Sequence, residues 1–145
     1  MKSDGFGERD FKNVVFVLWN DRVVSYNFTS DMEGASTRFD ASRIGQLQRG
    51  VTTKAQVIEL LGTPAGETIY PLVRDKGNRQ INYSYIGIGR SAFYTGTRDI
   101  ELSFLEILLG PDDKVIDFRS QSETKTITPE RAPSAPIMPI FIPTN

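Results

Sequence analysis

"GVTTKAQVIELLGTP", Gly50 to Pro64, is the stretch on which the fold turns. Thr53-Lys-Ala-Gln56 fits a capping box, in which a threonine side chain and a glutamine side chain each satisfy an orphan N–H at a helix start. Val57, Leu60 and Leu61 follow at i, i+3 and i+4, an apolar stripe that needs a partner surface. Gly62 supplies a stop, and Pro64 forbids continuation. A helix this short is unstable alone in water, so its stripe must dock on something else. Just upstream, "FDASRIGQLQRG" offers Asp40 or Ser42 as a cap, Ile44 and Leu47 three residues apart on one face, and Gly50 as a left-handed stop. Together the two segments predict a helical hairpin over residues 40–62, and its natural partner is a sheet.

Strand patterns lie on both sides. "VVFVLWNDRVVSYNFTS" reads as a hairpin over residues 14–30 turning at Asn20-Asp21, rich in β-branched and aromatic residues. Val15, Val17 and Trp19 share one face and Phe16 and Leu18 the other, a pattern expected of a strand covered on both sides. Downstream, "ETIYPLV" is a short strand weakened by Pro71, which suits an edge or bulge. "RQINYSYIGI" alternates Ile81, Tyr83 and Tyr85 against Asn82, Ser84 and Ile86, with both tyrosines expected in the core. "RDIELSFLEILL" and "GPDDKVIDFRS" complete a sheet over residues 67–120, with Asp112 and Asp113 in a hairpin turn. The strings "VFVLWNDRVVSYNFTS" and "LEILLGPDDKVIDFRS" echo one another as strand, acidic turn, basic residue, valine and strand.

The predicted architecture is α+β: a short helical hairpin on an antiparallel sheet, with an extra N-terminal β-hairpin. Residues 1–12 read as a flexible lead and 13–123 as a single domain. Residues 124–145 read as an extended tail, because "TPERAPSAPIMPIFIPTN" carries five of the eight prolines.

Composition bounds the chemistry. A chain of 145 residues with 39% hydrophobic content suits one globular domain, burying roughly two thirds of its unfolded surface. Seventeen basic against eighteen acidic residues leave a net charge of -1, which argues against a general grip on nucleic acid. No stretch approaches the ~18 to 20 apolar residues of a spanning helix, and "MKSDGFGERDFKN" lacks the apolar core of a signal peptide. With no cysteine and no histidine, disulfides, thiolate chemistry, the Ser-His-Asp triad and most zinc or copper sites are excluded. Catalytic residues, cofactor and metal are therefore all assigned as none.

The run "IGQLQRGVTTKAQVIELLGTPAGE", then "INYSYI" and "IELSFLEILLGPDDKVIDF", resembles the SmpA/OmlA family, which includes the BamE-like lipoproteins of the bacterial outer membrane. Arg49, Gly50, Thr52, Val57, Leu60, Leu61, Gly62, Pro64, Tyr83, Tyr85 and Lys114-Val115 occupy the motif positions, over roughly Ile44 to Phe118. The resemblance implies two short helices on a three-stranded antiparallel sheet, akin to the repeat of β-lactamase inhibitor protein. It also implies a periplasmic location with a cysteine-linked lipid anchor at the outer membrane in the full-length form. Its implied role is non-enzymatic, supporting envelope integrity or β-barrel assembly, with envelope proteins as partners, membrane contact only through the anchor, and no nucleic acid. The chain departs from the family in lacking the lipobox cysteine, in its extra hairpin and in its proline-rich end.

Local motifs add little chemistry. "GIGRSA", Gly87 to Ala92, matches a dinucleotide fingerprint after a strand, but no helical stripe follows to receive a pyrophosphate. Asp31 and Glu33 lack EF-hand spacing. Phe93 and Tyr94 sit in a glycine-flanked loop and are the expected partner-binding aromatics, with Arg90 and Arg98 flanking them. A protein inhibitor acting through its loops is the alternative reading. A small hydrolase is a weaker one, since no G-x-S-x-G motif is present.

Overall fold

The computed structural model describes residues 11–89 and 96–128. Hairpin chemistry builds most of it. Strands β1 (Lys12–Trp19) and β2 (Arg22–Ser30) turn through Asn20 and Asp21, at φ 48° and 59°. Two consecutive left-handed residues make the two-residue turn whose twist matches that of the strands, and Asn and Asp tolerate it best after glycine. Strands β3 (Gly66–Thr68), β4 (Arg79–Ile88), β5 (Arg98–Leu109) and β6 (Val115–Ile127) follow. All six form one antiparallel sheet whose spatial order is the chain order, so β1 and β6 are its two edges. β6 runs past Glu123, the expected start of the tail, and the expected lead is described only at Phe11 and Lys12.

This corrects the α+β expectation. Strand accounts for 51% of the described residues and helix for only 12%, an all-β-like fold. The anticipated helical hairpin is a single 3-10 helix (Ala41–Gln46) followed by α1 (Lys54–Leu61). The first segment buries none of its residues and carries Gly45, so little holds it as an α-helix. Nor is the N-terminal hairpin an accessory, because it supplies two strands of the same sheet.

The core lies on one face of β4, β5 and β6. Ile81, Tyr83, Leu105, Ile107, Leu109 and Val115 meet Val57 and Leu61 of α1 and Leu47 of the preceding turn. Both ends of α1 are fastened. The Gln56 N–H donates to the Thr53 hydroxyl while the Gln56 side chain accepts from the Thr53 N–H, and Gly62 leaves the helix at φ 85°. The Tyr83 hydroxyl donates to the Gly62 carbonyl at 2.8 Å, tying the helix end to β4. Tyr85 is buried as well, at 8% exposure.

Candidate functional site

The anticipated contact loop is only partly described: Arg90, Phe93 and Tyr94 lie outside the described residues, as does the second half of "GIGRSA". Arg98 is exposed at the start of β5, opposite Ile127. The motif residues of the helical segment serve the scaffold. Val57 and Leu61 are core, and Gly62 caps α1. Buried Thr52 accepts from the Gln48 N–H, while its carbonyl accepts from the Val115 N–H. Gly50, at φ 75°, donates its N–H to the Val115 carbonyl at 2.7 Å. Pro64, half-buried, leads into β3. These contacts splice the chain before α1 onto the start of β6.

The surface the sequence misjudged is β1. Every residue from Lys12 to Trp19 is exposed, including Phe16 at 56%, Leu18 at 63% and Trp19 at 55%. Val14 and Phe16 lie on one face, and Val15, Val17 and Trp19 on the other. The even spread of apolar residues was therefore no sign of cover on both sides; among the described residues nothing lies over either face. The signal available in the sequence was the absence of any charge between Lys12 and Asp21, unusual for an edge.

The backbone of β1 is equally available. The Asp31 N–H donates to the Phe11 carbonyl, which makes Phe11 and Asp31 a hydrogen-bonded pair. Antiparallel alternation then turns the backbone groups of Asn13, Val15 and Val17 toward β2. Those of Lys12, Val14, Phe16 and Leu18 point to the outer edge, where no described strand pairs with them. The opposite edge differs. β6 carries Arg119, Glu123 and Lys125 among serines and threonines, with Lys125 bridged to Glu123 at 3.3 Å. Such polar side chains blunt an edge against added strands.

The backbone ladder joins the β1–β2 hairpin to the rest of the sheet through the three residues of β3, and side chains of β2 reach past it to β4. Close approach there requires glycine: a Cβ on Gly66 would collide with the Tyr26 carbonyl oxygen and lie 2.9 Å from Asn27 Cα. Around it sits a polar network on the face away from α1. Asn27 Nδ2 donates to Ser84 at 2.8 Å and to Thr29 at 3.2 Å, Ser25 meets Thr68, and Asn82 donates to Thr68. Asn27 Oδ1 is buried without a hydrogen-bond partner among the described residues, against the space a Gly66 Cβ would take. Beside this network a concavity of about 440 Å³ is lined by Asn82, Ser84, Phe104, Glu106, Arg119 and Gln121.

The groups whose protonation is shifted take part in contacts that fasten the scaffold. Burial pushes the Tyr83 phenol well above its usual value. Hydrogen bonding from Arg49 holds the Asp117 carboxyl below the usual range, and the same guanidinium lies 4.6 Å from the Phe118 ring centroid. Hydrogen bonding from Ser42 lowers Asp40 likewise. No group of three or more carboxylates among the described residues could hold a metal ion. Comparison with protein-family models, with curated proteins and with solved structures finds no match to this chain.

Proposed function

We propose that this chain is a non-enzymatic interaction module that recognises other polypeptides by strand addition at β1. The observation that carries this reading is an eight-residue edge strand, apolar on both faces and exposed along its whole length. Strand addition uses such an edge twice: main-chain hydrogen bonds supply affinity, and side chains on the two faces supply selectivity. The SmpA/OmlA resemblance sets the context of the proposal. In it the full-length protein works in the periplasm, anchored at the outer membrane, with envelope or β-barrel assembly proteins among its partners.

The test is in-cell photocrosslinking with a photoreactive residue in place of Phe16 on β1, or of Thr124 on β6 as the comparison. The proposal expects a discrete crosslinked product from the Phe16 position, recovered with membranes, and none from Thr124. Products from Thr124 alone would refute strand addition at β1. Products confined to soluble cytosolic proteins would refute the envelope setting.

A further inference from the structure

We infer that the polypeptide adding to β1 is a second copy of this chain, which pairs β1 with β1 about a two-fold axis perpendicular to the sheet. The inference deepens the strand-addition reading and rests on it. Such an axis keeps like faces together, so residues opposite one another must share a face. Centring the axis on Val15 sets Val15 against Val15, Val14 against Phe16, Asn13 against Val17 and Lys12 against Leu18. Because Lys12, Val14, Phe16 and Leu18 carry the outward backbone groups, this register gives each of them a partner in the other copy. Moving the axis to Phe16 would keep Val14, Phe16 and Leu18 matched but set Lys12 against Asn20 in the turn, one partner fewer.

Charge and area agree with self-pairing. Lys12 is the only charged residue of β1, and the two-fold keeps the two lysines about 20 Å apart, beyond the ~8 Å screening length of physiological salt. Val14 to Trp19 keep 39% to 63% of their surface exposed. Cross-strand neighbours in the pair, Val14 beside Phe16 on one face and Val15 beside Val15 on the other, would cover part of that apolar surface. Edge asymmetry selects the closed form. Pairing β1 with the β6 of another copy would build an open filament, and the charged side chains of β6 oppose it. β1 on β1 ends at two.

The experiment uses the full chain, whose lack of cysteine makes an introduced thiol unique. Val15 faces solvent, so Val15→Cys leaves the core untouched. In the proposed register the two thiols sit in a non-hydrogen-bonded pair, with Cα atoms about 4.5 Å apart, within disulfide reach. Mild oxidation should convert most of the protein to a covalent dimer, whereas Thr124→Cys on β6 should stay monomeric. Sedimentation of the unmodified chain should show a species of twice 16.2 kDa. Phe16→Lys, which sets two like charges close together on either side of the axis, should raise the dissociation constant at least tenfold. A chain that stays monomeric at all concentrations, with no Val15→Cys dimer, overturns the inference. If Phe16-position crosslinks to another protein persist in that case, strand addition at β1 stands and only the partner is wrong. If removal of residues 129–145 is what permits dimers, the edge belongs to the chain's own C-terminal segment and the inference is again overturned.

Discussion

Replacing Gly66 by alanine should loosen the β1–β2 hairpin from the sheet. The added Cβ meets the backbone carbonyl of Tyr26 and, at 2.9 Å, the backbone Cα of Asn27, so no side-chain rotation relieves the contact. Forcing a methyl group into such a place costs about 1 to 3 kcal/mol through backbone displacement. The displacement strains the Phe28 N–H to Ala65 carbonyl bond, 2.8 Å long, which is worth a further ~0.5 to 1.5 kcal/mol. Against this, alanine restricts the unfolded chain and returns about 0.4 to 1 kcal/mol. The balance is a loss of about 0.5 to 4 kcal/mol, which for a domain of this size lowers Tm by roughly 2 to 4 °C per kcal/mol. Urea unfolding gives the magnitude, and hydrogen exchange gives the place. Amides of β1 and β2 should lose protection before those of β4 and β5, because β3 is the splice between the two halves. A Gly66→Ala protein within 0.5 kcal/mol of the parent, or one losing protection uniformly, would refute the splice.

Two further outcomes are expected. Thr53→Ala removes the side-chain half of the capping box and should cost about 1 kcal/mol, read from the urea midpoint; an unchanged midpoint would mean the Lys114 bridge alone holds the start of α1. Asp117→Asn should flatten the acid limb of the stability curve. The Asp117 carboxyl is held below its unfolded value, so its contribution is present above about pH 3.9 and is lost as pH falls through the lower folded value. The variant lacks that contribution at neutral pH and should lose less stability than the parent on acidification, as followed by urea midpoints from pH 6 to pH 2.

Local chemistry in the sequence pointed to several details of the fold. Thr53, Gln56 and Gly62 mark the two ends of α1, and Asn20-Asp21 and Asp112-Asp113 mark turns, because caps and turns are decided by neighbouring residues. Alternation put Tyr83 and Tyr85 inside. Balance between elements was less legible. Ile44 and Leu47 suggested an α-helix where a short 3-10 helix forms, since three-residue spacing fits both. β3 could not be delimited, because its three residues are held by pairing with Asn27 and Asn82, distant in sequence. The end of β6 was read as tail because an exposed edge strand needs no apolar alternation. The edge itself shows the deepest limit. Periodicity tells which residues of β1 share a face, and it does not tell whether anything lies on that face.

Residue-resolved hydrogen exchange along β1, measured on dilute and on concentrated protein, tests the central claim most directly. When the edge is empty, the amides of Val14, Phe16 and Leu18 should exchange rapidly while those of Val15 and Val17, bonded to β2, exchange slowly. Raising the concentration, or adding a captured partner, should slow the first set and leave the second nearly unchanged. Equal rates for both sets that do not respond to concentration or partner would contradict the account, because β1 would then not be the edge through which this protein binds.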